Sequence, residues 1–166
     1  MNGEGMRFLP GLLMLGVAAA AFPQASQQPF TLALSAVKPQ VIAGAPVEIR
    51  ITMTNTSDRQ IDCPGWWSNG VDRAYEYRVL DQNGQAAPRI VRKHPEIGEE
   101  IRPAPCVVKP GKTSKPSGAM VGRLFDFSHP GEYTIQVSRH VSPGPKSEAV
   151  KSNTITITVL PANNPP

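Results

Sequence analysis

The chain has 166 residues, with 17 Lys and Arg against 13 Asp and Glu, a net charge of +4 and two cysteines. Once a targeting segment is set aside, about 140 residues remain, which is one domain's worth and enough to bury a core without metals. The basic residues, among them Arg50, Arg59, Arg73, Arg78, Arg89, Arg92 and Lys93, are scattered with no run of five, so no nucleic-acid partner is expected.

Residues 1–21 read as a signal peptide. Arg7 supplies the positive region, Phe8 to Ala21 is almost wholly apolar, and Ala19-Ala20-Ala21 offers small residues for cleavage. The apolar run stops short of the roughly 20 residues a membrane-spanning helix needs. The other reading of this stretch is an uncleaved membrane anchor. No cysteine follows the cleavage region to take a lipid. Residues 22–29 are expected to be a flexible linker, 30–160 the domain and 161–166 a frayed tail. The expected location is secreted or periplasmic, with no stable membrane span after cleavage. Export makes a bridge between Cys63 and Cys106 chemically reasonable. By loop entropy it would be worth roughly 4 kcal/mol. Two independent buried thiols are the alternative.

Period-2 alternation then dominates. Phe30, Leu32, Leu34 and Ala36 form one face of a first strand, which Lys38-Pro39 breaks. Val47, Ile49, Ile51 and Met53 point one way and Glu48, Arg50, Thr52 and Thr54 the other, the pattern of a half-buried strand. Asn55-Thr-Ser-Asp58 ends it with turn formers. Tyr75, Tyr77 and Val79 alternate with Glu76 and Arg78, and Asn83-Gly84 signals a hairpin returning over Arg89 to Arg92. The span from His94 to Ser117 is proline-rich and reads as loop and edge. Two further strands follow: Tyr133, Ile135 and Val137 in one, Ile155, Ile157 and Val159 in the other. The 18 prolines leave little room for helices. These features predict an all-β antiparallel β-sandwich of about 7–9 strands.

Three stretches carry a resemblance: Pro46-Val-Glu-Ile-Arg-Ile-Thr-Met-Thr-Asn-Thr-Ser57, Phe125-Asp-Phe-Ser-His-Pro-Gly-Glu-Tyr-Thr-Ile-Gln-Val137 and Val150-Lys-Ser-Asn-Thr-Ile-Thr-Ile-Thr-Val159. They resemble immunoglobulin-like β-sandwich domains of secreted bacterial proteins. The order of an N-x-S strand, an aromatic strand such as Tyr75-Glu-Tyr-Arg-Val-Leu-Asp81, a Pro-Gly turn and a tyrosine strand is also similar to the bacterial intracellular proteinase-inhibitor family. The resemblance implies that Tyr133 is a corner tyrosine bonded to backbone near the preceding turn. It departs from the antibody pattern in its cysteines. Ile135 stands two residues after the corner tyrosine, so a Cys63–Cys106 bridge would tie loops rather than sheets.

Candidate chemistry is sparse. His129 and His140 flank the tyrosine strand and, at about 3.3 Å per residue, stand roughly 35 Å apart. They cannot share a site, and His94 lies elsewhere, so no metal site is expected. Glu96, Glu99 and Glu100 sit beside Arg92, Lys93 and Arg102 in a self-neutralising loop. Asp81-Gln-Asn-Gly84 has half the pattern of a calcium loop but lacks the later ligands. No catalytic set and no cofactor are expected. The most unusual segment is Cys63-Pro-Gly-Trp-Trp67, where adjacent tryptophans on an extended chain face opposite ways. One ring can cover the core while the other meets a partner, or both can pack on the domain. The expected function is an exported, non-enzymatic binding module acting through its end loops. Trp66, Trp67, Arg102 and Pro105 are the candidate contacts, and the partner is an unknown protein or a carbohydrate. The alternatives are a proteinase inhibitor presenting residues 102–106 and a carbohydrate-binding module using Trp66 and Trp67.

Overall fold

A computed structural model describes residues 28–63, 74–90, 106–142 and 147–162. The expected signal peptide, most of the expected linker, residues 64–73, 91–105 and 143–146 and the last four residues therefore lie outside the described part. Among the described residues the chain is all-β, with ten strands in three sheets. The first sheet has the order β1-β3-β7, with β1 Phe30–Ala36, β3 Glu48–Asn55 and β7 Ser117–Met120, all antiparallel. The second runs β2-β10-β8-β5, with β2 Gln40–Ile42, β5 Glu76–Leu80, β8 Gly131–His140 and β10 Ile155–Leu160. β9, Ala149–Lys151, adds to β8 beyond β10. The third sheet pairs only β4, Ile61–Cys63, with β6, Cys106–Val108.

The alternation read from the sequence sets which side chains are buried. Phe30, Leu32 and Leu34 from β1 and Ile49, Ile51 and Met53 from β3 belong to one core with Tyr77, Val79, Tyr133, Ile135, Val137, Ile157 and Val159 from the second sheet. Ile49, Ile135, Val137 and Ile157 are 0% exposed. Burying a side chain of this kind is worth about 1.5–3 kcal/mol, so the strand faces are fixed: a one-residue slip would turn every such side chain to water.

Three elements differ from the sequence reading. β2 follows the Lys38-Pro39 break and pairs in parallel with β10, Val41 opposite Val159. The span from His94 to Ser117 is not all loop, since its described part contributes β6 and the start of β7. The return after Asn83-Gly84 is short: Ala86 bridges Leu80 and Ala87 N–H donates to Val79, but Arg89 pairs with Phe125 instead of β5. Pro88 has no N–H to carry the ladder onward, and Val91 and Arg92 of the expected return strand fall outside the described residues. The turn itself forms as expected. Asp81 Oδ1 accepts the N–H groups of Asn83 and Gln85, each at 2.9 Å, and Gly84 takes φ +75°, a conformation that glycine adopts without strain.

Candidate functional site

Both cysteines lie at one end of the core. β3 reaches this end at Asn55, which is paired with Phe30 and is 0% exposed. A buried amide must find partners for all its polar atoms. Asn55 Nδ2 donates to the carbonyls of Arg59 at 2.7 Å and Val108 at 2.8 Å, while Oδ1 accepts from the N–H and hydroxyl of Ser57. One side chain thus closes the 55–59 turn and joins it to β6. Lys112, Gly111 and Asn55 exchange backbone bonds beside it, and Thr54 Oγ1 meets Thr113 Oγ1 at 2.8 Å.

Cys63 and Cys106 are bonded as a disulfide, with Cα atoms 5.0 Å apart and a separation of 43 positions in sequence. They are cross-strand partners in the β4–β6 ladder, so the bridge ties two strands and not two loops. The expectation of a loop tie is corrected by the pairing of Ile61 with Val108 and Asp62 with Val107, which local patterning in three-residue strands does not reveal. Val108 is buried at 2%, whereas Val107 is 44% exposed on the outer side of the ladder. Trp66 and Trp67 follow Cys63, and Arg102 and Pro105 precede Cys106. All four lie outside the described residues, as do His94 and Glu96, Glu99 and Glu100.

The same end carries Arg139. Its predecessors Tyr133, Ile135 and Val137 are buried, and period 2 continues that face to Arg139. The guanidinium lies 5.6 Å from the centre of the Phe30 ring, and Nη1 donates to Met53 Sδ at 3.3 Å. Arg139 belongs to no motif in the sequence, although the alternation along β8 places it on the core side. Tyr75 immediately precedes β5, whose first residue, Glu76, pairs with Ser138. Burial pushes the Tyr75 phenol above its usual value of 10.0, and the nearby Arg139 charge partly opposes this. On the opposite face, His140 Nδ1 lies 2.8 Å from the Ser147 carbonyl and Nε2 lies 3.3 Å from Glu76 Oε1. His140 is thus the last residue of β8, with two partners.

The far end of β8 holds the corner. The Tyr133 hydroxyl donates to the His129 carbonyl at 3.0 Å, and the ring packs edge-on against Phe127 at 4.9 Å. Desolvation raises the Tyr133 phenol, with the negative charges of Asp126 and Asp81 adding to the effect. A recess of about 330 Å³ lies here between the Asp81–Pro88 turn and His129–Tyr133. His129 and His140 are at opposite ends of the continuous β8. Among the described residues no three His, Cys, Asp or Glu side chains are grouped to hold a metal ion, and no helix is long and apolar enough to cross a membrane.

No protein-family model matches this chain, and no curated protein matches its sequence. The geometry of the disulfide end therefore carries the functional reading.

Proposed function

We propose that this protein is an exported, non-enzymatic binding module with an immunoglobulin-like β-sandwich fold, binding its partner through the loops at the disulfide end. One observation carries the reading: the Cys63–Cys106 disulfide cross-links a separate two-stranded ladder, which Asn55 joins to the end of the core through the Val108 carbonyl. The segments that carry Trp66 and Trp67 on one side and Arg102 and Pro105 on the other spring directly from its two cysteines. A covalent anchor at the root of a loop lowers the ordering entropy that binding must overcome, and large aromatic and arginine side chains are the residue types that dominate interfaces. Loops on a rigid β scaffold are where such domains place function. The disulfide also fits an oxidising compartment outside the cytoplasm.

The test is capture from a periplasmic or secreted fraction with the mature, oxidised domain as bait. Trp66→Ala with Trp67→Ala should abolish capture, and reduction of the disulfide should weaken it. Capture that survives both treatments overturns the assignment to this end. Recovery of a proteinase whose activity the domain blocks, with dependence on Arg102 and Pro105, would favour the inhibitor reading. Retention on a polysaccharide that depends on the tryptophans would favour a carbohydrate partner.

A further inference from the structure

We propose that the outer edge of β2 is a self-association site, where β2 of a second copy of this chain adds antiparallel and joins the two second sheets across a two-fold axis. The inference goes beyond the binding reading and concerns the other end of the fold. β1 runs from Phe30, paired with Asn55 at the disulfide end, to Ala36, paired with Ile49, and β2 follows beyond it. Among the described residues β2 has one neighbour, β10, with Gln40, Val41 and Ile42 opposite Thr158, Val159 and Leu160. The Thr158 N–H donates to the Pro39 carbonyl at 2.9 Å and the Ala43 N–H to the Leu160 carbonyl at 2.8 Å. In a parallel ladder alternate residues turn their backbone groups to the same neighbour. Pro39, Val41 and Ala43 therefore face β10, and the backbone groups of Gln40 and Ile42 face outward. The N–H that Pro39 lacks falls on the β10 side and leaves no gap in the outer edge.

This edge has surface to offer. Gln40 is exposed and Ile42 is 52% exposed. Its ladder partner Leu160 is 41% exposed on the same outer face, while Val41 and Val159 turn inward. An apolar pair at an open sheet edge invites another strand. A groove of about 520 Å³ runs beside the edge, lined by Lys38, Gln40, Ile42, Pro46, Glu48 and Leu160 among others. It carries one cation, Lys38, and one anion, Glu48, both exposed. A surface used twice about a two-fold axis must be complementary to itself. This one is neutral in a chain of net charge +4, so two copies meet here without the repulsion that the basic surface elsewhere imposes. With the axis at Val41, Gln40 of one copy lies opposite Ile42 of the other. The Gln40 carbonyl then accepts the facing Ile42 N–H. The Ile42 carbonyl already takes the Ala45 N–H at 2.9 Å, and its second lone pair can take the facing Gln40 N–H. The two Ile42 side chains become diagonal neighbours on one face. Three residues of pairing make a small contact, so the dimer is weak and reversible. It carries two disulfide ends in one particle, which raises avidity for a repeated partner.

The experiment is sedimentation equilibrium of the oxidised mature chain from about 10 μM to about 1 mM, with amide hydrogen exchange followed at both limits. The chain should pass from monomer towards dimer, and exchange at Gln40 and Ile42 should slow several-fold as it does. The Ala43 amide, already bonded to Leu160, should change little. Ile42→Lys should weaken association about tenfold or more. Lys38→Glu and Glu48→Lys should each weaken it by giving the two faces like charge, and the double exchange, neutral again, should restore it. A chain that stays monomeric at about 1 mM, or association unchanged by Ile42→Lys, overturns the site. Slow exchange at Gln40 and Ile42 in the dilute monomer also overturns it, because the chain then covers its own edge; deletion of residues 163–166 shows whether the C-terminal tail is the cover. Slowing that appears only when a captured partner is added assigns the edge to that partner and not to a second copy. Dependence of capture on Trp66 and Trp67 is measured separately, so the binding reading stands or falls on its own.

Discussion

Tyr133 shows how one hydroxyl holds a turn to a strand. Its O–H donates to the His129 carbonyl four residues earlier, with the ring seated against Phe127. Tyr133→Phe keeps the packing and leaves that carbonyl without its donor. The expected cost is about 1 kcal/mol, read as a lower urea midpoint. The pH dependence follows from the same residue type. The Tyr133 and Tyr75 phenols are both raised above 10.0 in the folded protein, so folding favours their neutral form. Their contribution is complete below pH 10 and is lost as the pH rises through the raised values. Urea midpoints measured above about pH 10 should therefore fall, and Tyr133→Phe should lessen the fall. Asp126 acts in the opposite range. Ser128 donates to its carboxylate from the backbone N–H, at 2.9 Å, and from the side chain, holding it below 3.8. That contribution is full above 3.8 and disappears as the pH drops through the lowered value. Asp126→Asn should make the acid limb of the stability profile shallower. A tyrosine after a Pro-Gly turn was legible in the sequence as a corner. The seat of Arg139 over Phe30 was not, because a charged residue at the end of an apolar alternation reads equally as the point where a strand leaves the core.

At the scale of elements, the second sheet is joined to the first by a side chain acting as backbone. β9 and β10 run along the same side of β8 but are interrupted at 152–154, where Ser152 bridges Leu32. Asn153 Oδ1 accepts the Leu34 N–H at 2.7 Å, and Nδ2 donates to the Leu34 carbonyl at 3.1 Å. The free edge of β1 is thereby satisfied in its middle, and sheet edges need such cover. Asn153→Ala removes both bonds and should cost about 2 kcal/mol. Asn153→Asp restores the acceptor but sets a carboxylate oxygen against a carbonyl, so it should not rescue the midpoint. Hydrogen exchange at Leu34 would report the loss directly. The longer strands, β1, β3, β8 and β10, were legible because each has enough alternating residues to define a face. β2, β4 and β6 have three residues each, too few for a period to stand out, and their pairing partners lie far away in sequence. Cys63 with Cys106 was legible as a pair but not as a rung of a ladder, since spacing along the chain carries no information on registry across strands.

For the molecule as a whole, the disulfide is a long-range covalent constraint that closes the β4–β6 ladder at the end of the domain. Reduction should lower unfolding free energy by roughly 3–4 kcal/mol and leave two titratable thiols. A thiol assay on the purified oxidised protein that already finds two would overturn the bridge. The export reading is tested by intact mass: cleavage between Ala21 and Ser26 should leave no trace of residues 6–20 in the protein recovered outside the cytoplasm. Composition, the signal-like start and the period-2 runs were sufficient to determine an all-β domain, the inward face of each long strand and the presence of two cysteines able to pair. These properties depend on short-range order along the chain, where solvent exposure selects side chains two by two. Only the tertiary structure decided that β2 lies parallel to β10, that Asn153 caps β1, and that Arg139 comes to rest on Phe30. Each of those depends on which distant strands meet and in what register, a choice made by the packing of the shared core and not by any local segment.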